Sequence, residues 1–137
     1  MYLPNLLAWL IASMLPMLIG FAWYSPVLFG KAWTKEMGWT KADDIKEKQK
    51  GVGKAYAAMF VGNIVMAFVL SNLVQLTESF NLITGAILGF WCWLGFIATT
   101  SMGSVFFESK SWKLFWINQG YNLVMLVSMG AIFGAWR

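Results

Sequence analysis

The stretch Ala55-Tyr-Ala-Ala-Met-Phe-Val-Gly-Asn-Ile-Val-Met-Ala-Phe-Val-Leu-Ser-Asn-Leu-Val-Gln-Leu76 contains no Asp, Glu, Lys or Arg. A helix that crosses bilayer hydrocarbon takes roughly 20 predominantly apolar residues, and this run has that length. The strict two-residue alternation of a barrel strand is missing from it. Three further uncharged runs flank it, at about 3–29, 82–107 and 114–136. The chain is therefore expected to be all-α, an integral membrane four-helix bundle. Residues 1–137 form one transmembrane domain, with a connection at about 30–54.

Composition points the same way. Hydrophobic residues make up 59% of the 137, aromatics 18% and charged residues 12%. Soluble domains carry about 25% charged residues. Four spans leave no room for a separate folded domain. The opening Met1-Tyr-Leu-Pro-Asn5 lacks the basic region of a secretory leader, so the first run is expected to stay as a span.

The lysines set the expected orientation. Lys31, Lys35, Lys41, Lys46, Lys48, Lys50 and Lys54 fall in the first connection with four acids, and account for +3 of the net +4. Lys110 and Lys113 fall in the third connection, while the second, 77–81, has no basic residue. Positive charge gathers on one side if both termini are extracytoplasmic and the lysine-rich connection is cytoplasmic. Within that connection Thr40-Lys-Ala-Asp43 has capping-box spacing, acids precede lysines, and Gly51 supplies a stop. A short interfacial helix over about 41–50 is predicted, its lysines placed either against anionic lipid headgroups or simply in water.

Reactive chemistry is sparse. Without histidine there is no imidazole ligand or base, and a lone Cys92 forms no intrachain disulfide or Cys-x-x-Cys site. Glu78 and Glu108 sit at opposite span boundaries, and no charged residue lies near a span centre, where ion-coupled pumps keep theirs. Neither an enzyme nor a cofactor is expected, and nothing suggests nucleic acid as a partner.

The end of the first run reads Gly20-Phe-Ala-Trp23-Tyr24-Ser25-Pro26-Val-Leu-Phe29-Gly30-Lys31-Ala-Trp33. The last run holds Trp116-Ile-Asn118-Gln-Gly120-Tyr121 and Met129-Gly130-Ala-Ile-Phe-Gly134-Ala-Trp136. Together these resemble the DUF1761 family of small four-span membrane proteins. That resemblance implies a fold and transfers no catalytic residue. Physically, Trp23, Tyr24 and Trp33 suit the headgroup level, Pro26 with Gly30 suits a helix end, and Lys31 suits snorkelling to water. Pro16 is expected to kink the first span.

Small and polar residues mark faces that pack in lipid. Gly85, Gly89, Cys92, Thr99 and Gly103 form one predicted stripe, and Gly130-x-x-x-Gly134 another; packing inside the bundle is their default use. Asn63, Ala67, Ser71 and Gln75 repeat every four residues, as do Asn118 and Asn122. These amides either bond between helices or line a polar cavity. Two functions follow as expectations: a non-enzymatic homo-oligomer or small accessory subunit of a membrane complex, and a channel or carrier for a small neutral or weakly polar solute. A bacterial plasma membrane is the expected location.

Overall fold

The computed structural model of the chain describes residues 2–39 and 50–136. Among these, every regular element is helical: α1 (Leu6–Trp23), α2 (Gly30–Glu36), α3 (Val52–Leu76), α4 (Leu82–Phe106) and α5 (Trp112–Ala135). Side chains close three of the helix starts. Asn5 accepts from the amides of Leu7 and Ala8, Asn81 and Thr84 form a capping box, and the Ser111 hydroxyl accepts from Leu114 N. Each cap satisfies backbone donors that a helix start leaves unpaired.

Three helices, α1, α3 and α4, are long and apolar enough to cross a membrane. Their outward side chains, among them Leu6, Leu10, Leu18, Val61, Val65, Val69, Ile83 and Ile87, are exposed. Helix α5 is 24 residues long but carries Lys113, Asn118, Gln119 and Asn122. It packs against α1, α2, α3 and α4. A helix wrapped by others meets protein more than lipid, so polar residues are tolerated there.

Some boundaries differ from expectation. Helix α1 stops at Trp23 rather than near 29, residues 24–29 turn, and α2 begins inside the stretch read as connection. Pro26 accounts for the stop, because the residue before a proline is disfavoured in helical conformation. Gly30 opens α2 instead of ending a helix. The helix predicted over 41–50 lies outside the described residues except for Lys50, which is in a turn. Gly51 has the left-handed φ of +76° suited to a stop, and α3 starts directly after it. Pro16 lies within a continuous α1.

The two ends of the molecule are packed differently. Toward the end bearing Leu6, Leu76 and Leu82, a core forms from Ala8, Ala12, Ala67, Leu70, Val74, Met129 and Phe133. Here α4 and α5 touch backbone to backbone. A Cβ on Gly85 would overlap the Gly130 carbonyl, one on Gly89 the Leu126 carbonyl, and one on Gly134 the Asn81 carbonyl. Toward the end bearing Trp23, Val52 and Trp112, where the described lysines gather, every residue from Gly51 to Met59 is exposed.

Candidate functional site

The lysine end of the fold contains two clefts that share a wall. The first, of about 780 Å³, lies between α1, α2, α3 and α5 and is walled by Phe21, Tyr24, Trp33, Trp39, Tyr56 and Tyr121. Asn63, Asn118 and Asn122 supply its amides, and none of the described lining side chains is charged. The second, of about 730 Å³, lies between the end of α4 and the start of α5, with Thr100, Ser101, Ser104, Glu108, Lys110 and Gln119 among its lining. Met37, Asn118 and Asn122 border both.

The tract Trp23–Trp33 builds the aromatic cleft. Trp23 turns inward, not toward a headgroup layer: its indole N–H donates to the Ile117 carbonyl at 2.9 Å. Its ring lies where a Cβ on Gly120 would be, 2.7 Å from Cζ2, so Gly120 makes room for it. Tyr24 donates its hydroxyl to Asn118 Oδ1 at 2.8 Å. The turn closes as Gly30 N donates to Ser25 O at 2.9 Å and Phe29 N to Trp23 O at 3.0 Å. A side chain on Gly30 would strike the Tyr24 carbonyl and the Ser25 backbone, which explains glycine there. Pro26 and Phe29 are exposed, and so is Lys31. The rings meet edge to face or tilted: Trp33 with Trp39 at 4.8 Å, Tyr24 with Trp33 at 5.6 Å, and Tyr24 with Tyr121 at 5.4 Å. Such offset contacts fix the walls without closing the space between them.

Aromatic donors make the main inter-helix hydrogen bonds. Trp9 Nε1 donates to the Ile64 carbonyl at 3.0 Å, and Tyr121 donates its hydroxyl to the Pro16 carbonyl at 2.8 Å. The amides selected by spacing divide differently. Asn63, 4% exposed, and Asn122 make no side-chain hydrogen bond among the described residues, and Asn118 bonds through its oxygen alone. Ser71 donates to the Phe68 carbonyl of its own helix at 2.7 Å. Gln75 is half-buried and lines neither cleft.

The residue that does clamp through an amide is Asn72, which spacing passed over. Its Oδ1 accepts from Tyr2 N at 2.9 Å and its Nδ2 donates to Tyr2 O at 3.0 Å, tying the chain start to α3. Asn72 is one position off the four-residue repeat, and its partner is seventy residues away, so no local pattern marks it. Gln119 is likewise absent from the stripes, yet it is 3% exposed with no partner for Oε1.

The predicted stripe on α4 is broken. Gly85 and Gly89 are buried on α5, but Thr99 is exposed. Between them residues Trp93–Ala98 form a π-helix. The wider turn takes an additional residue and rotates everything after it, so strict α spacing loses register there. Glu108 makes no ion pair with Lys110 or Lys113 among the described residues; it is exposed. Cys92 is a free thiol, half-buried.

No curated protein and no solved structure matches the chain. A family model does, over residues 7–134, and its description is a protein of unknown function, DUF1761. The match takes in the glycine contacts of α4 and α5, the tract Trp23–Trp33 and both clefts, and the chain belongs to the DUF1761 family.

Proposed function

We propose that this chain is a four-span membrane protein, both termini extracytoplasmic, that binds a small uncharged or weakly polar solute from the cytoplasmic side and acts as a carrier. The observation that carries the reading is the set of unpaired amides, Asn63, Asn122 and the Nδ2 of Asn118, facing an aromatic cleft of about 780 Å³ with no charge among its described lining. Their unpaired amide atoms open onto the cleft, so their hydrogen-bonding capacity is available to whatever fills it. A solute with complementary donors and acceptors would satisfy them, while the rings enclose its apolar part. The cleft lies toward the lysine end, and at the other end α4 and α5 pack backbone to backbone, which favours a carrier over an open pore. The orientation rests on the lysines, which the described structure gathers at the cleft end. The helix α5 then serves as the fourth span, shielded from lipid by its neighbours.

A homo-oligomer or accessory subunit would need a surface other than the glycine stripes. The glycine stripes that would form such an interface are engaged between α4 and α5 of one chain. The test is solute-induced shrinking and reswelling of proteoliposomes, followed by light scattering, with glycerol, urea and small amides. Flux above protein-free vesicles is expected for at least one of these, and Asn63→Leu and Asn122→Leu should each reduce it several-fold. Flux equal to that of empty vesicles for the whole panel, or unchanged in both variants, overturns the proposal.

A further inference from the structure

The two ends of α2 are held unequally. Before its start the chain is pinned to α5, where Trp23 donates its indole N–H to the Ile117 carbonyl at 2.9 Å. The turn between is closed by Phe29 N to Trp23 O and Gly30 N to Ser25 O, and a Cβ on Gly30 would strike it. At the far end, the side-chain hydrogen bond that ties α2 to another helix, among the described residues, runs from Ser111 Oγ to Glu36 Oε2 at 2.6 Å. Ser111 Oγ also accepts from Leu114 N at 3.1 Å, so the cap of α5 directs its proton at Glu36. Thr34 bonds only back to the carbonyls of Gly30 and Lys31 in α2 itself. Past Met37 the chain leaves through Gly38, exposed, at φ +80° and with nothing within 4 Å of a Cβ. A segment pinned at one end and bonded once at the other opens locally at small cost.

That less-held end walls the aromatic cleft. Trp33, Thr34, Met37 and Trp39 line it, and Met37 borders the second cleft as well. Asn63, on α3, lines the same cleft and is 4% exposed. We infer that α2 is a latched lid on the aromatic cleft. With the Ser111–Glu36 bond made, its far end walls the cleft; with the bond broken, that end swings about the turn at 24–29 and uncovers Asn63. The inference rests on the reading of this cleft as the solute site, and gives that site its gate.

The test is the rate at which a membrane-impermeant maleimide labels the full chain in phosphatidylcholine nanodiscs. Cys92→Ser removes the native thiol, and Asn63→Cys places a reporter in the cleft. A second reporter, Ser71→Cys, sits on the same helix at the packed end, where Ser71 is 1% exposed. Labelling through local opening follows the open population. Glu36→Ala should therefore speed the Asn63→Cys reaction roughly tenfold, the shift that one charge-assisted hydrogen bond supports. Glu36→Gln keeps an acceptor for Ser111 and should fall nearer the parent. Ser111→Ala should match Glu36→Ala, and the two together should add nothing further, because both remove the same bond. An unchanged rate in Glu36→Ala overturns the inference. So does an equal acceleration at Ser71→Cys, which would mark general loosening. Labelling needs no transported solute, so the two readings fail separately: absent flux with a latch-dependent rate removes the carrier, and flux with a latch-independent rate removes the lid.

Discussion

Helices α4 and α5 run side by side, yet their two ends behave as different materials. At one end Gly85 and Gly89 face Gly130 and Gly134 so closely that no side chain fits between the backbones. At the other, Thr100–Lys110 stands apart from Leu114–Asn122 and a cleft of about 730 Å³ opens between them. The π-helix Trp93–Ala98 lies where one regime passes into the other. The lesson concerns what holds helices in lipid. With little hydrophobic drive between helices, close approach of small residues supplies cohesion, and where it stops the interface opens unless polar bonds take over. At the lysine end, Trp23 to Ile117, Tyr24 to Asn118 and Tyr121 to Pro16 hold α1 on α5, while the amides Asn63 and Asn122 hold nothing.

The largest effect is expected where backbones touch. Gly85→Leu or Gly130→Leu should destabilise the fold by about 3 kcal/mol, the upper part of the range for overpacking. Gly62→Leu and Gly95→Leu, which meet nothing within 4 Å, should stay within about 0.5 kcal/mol. Thermal midpoints in one detergent provide the comparison, and a Gly130→Leu protein as stable as Gly95→Leu would remove the packed end from this account.

Next come three amide substitutions of the same kind in different settings. Asn72→Leu deletes both bonds to Tyr2 and a third to the Phe68 carbonyl, and should cost about 1–2 kcal/mol. The smallest effect belongs to Asn63→Leu and Asn122→Leu. These remove amides with no partner, so stability should change by no more than about 0.5 kcal/mol while solute flux falls. Comparable destabilisation by Asn63→Leu and Asn72→Leu would show that the cleft amides are structural.

The sequence was informative wherever the physics is local. Uncharged runs marked the helices, and the pair Gly85/Gly89 and the pair Gly130/Gly134 stood out by spacing, whereas the caps Asn5, Asn81 and Ser111 emerged only in the structure. It misled where one periodicity was carried too far. The α4 stripe was extended through Thr99 across a π-turn that shifts the register. The tract Trp23–Trp33 reads as an interfacial anchor because its rings are amphipathic, and only the position of Gly120 on α5 shows why Trp23 points inward. Asn63 and Asn72 illustrate the same limit. Both are amides on α3, nine residues apart, and nothing beside them in sequence says which one finds a partner.

By itself, then, the sequence determined an all-helical membrane class, the approximate helix extents, the charge asymmetry and the family. Each depends on the composition and order of neighbouring residues, since burying uncharged side chains and satisfying backbone donors within a helix are local matters. Tertiary structure decided which glycines meet, which end packs backbone to backbone, which amides are left unpaired, and that two clefts share Asn118 and Asn122. Those outcomes depend on contacts between residues dozens of positions apart, and a small change in helix register, such as one π-turn, redistributes them without altering composition.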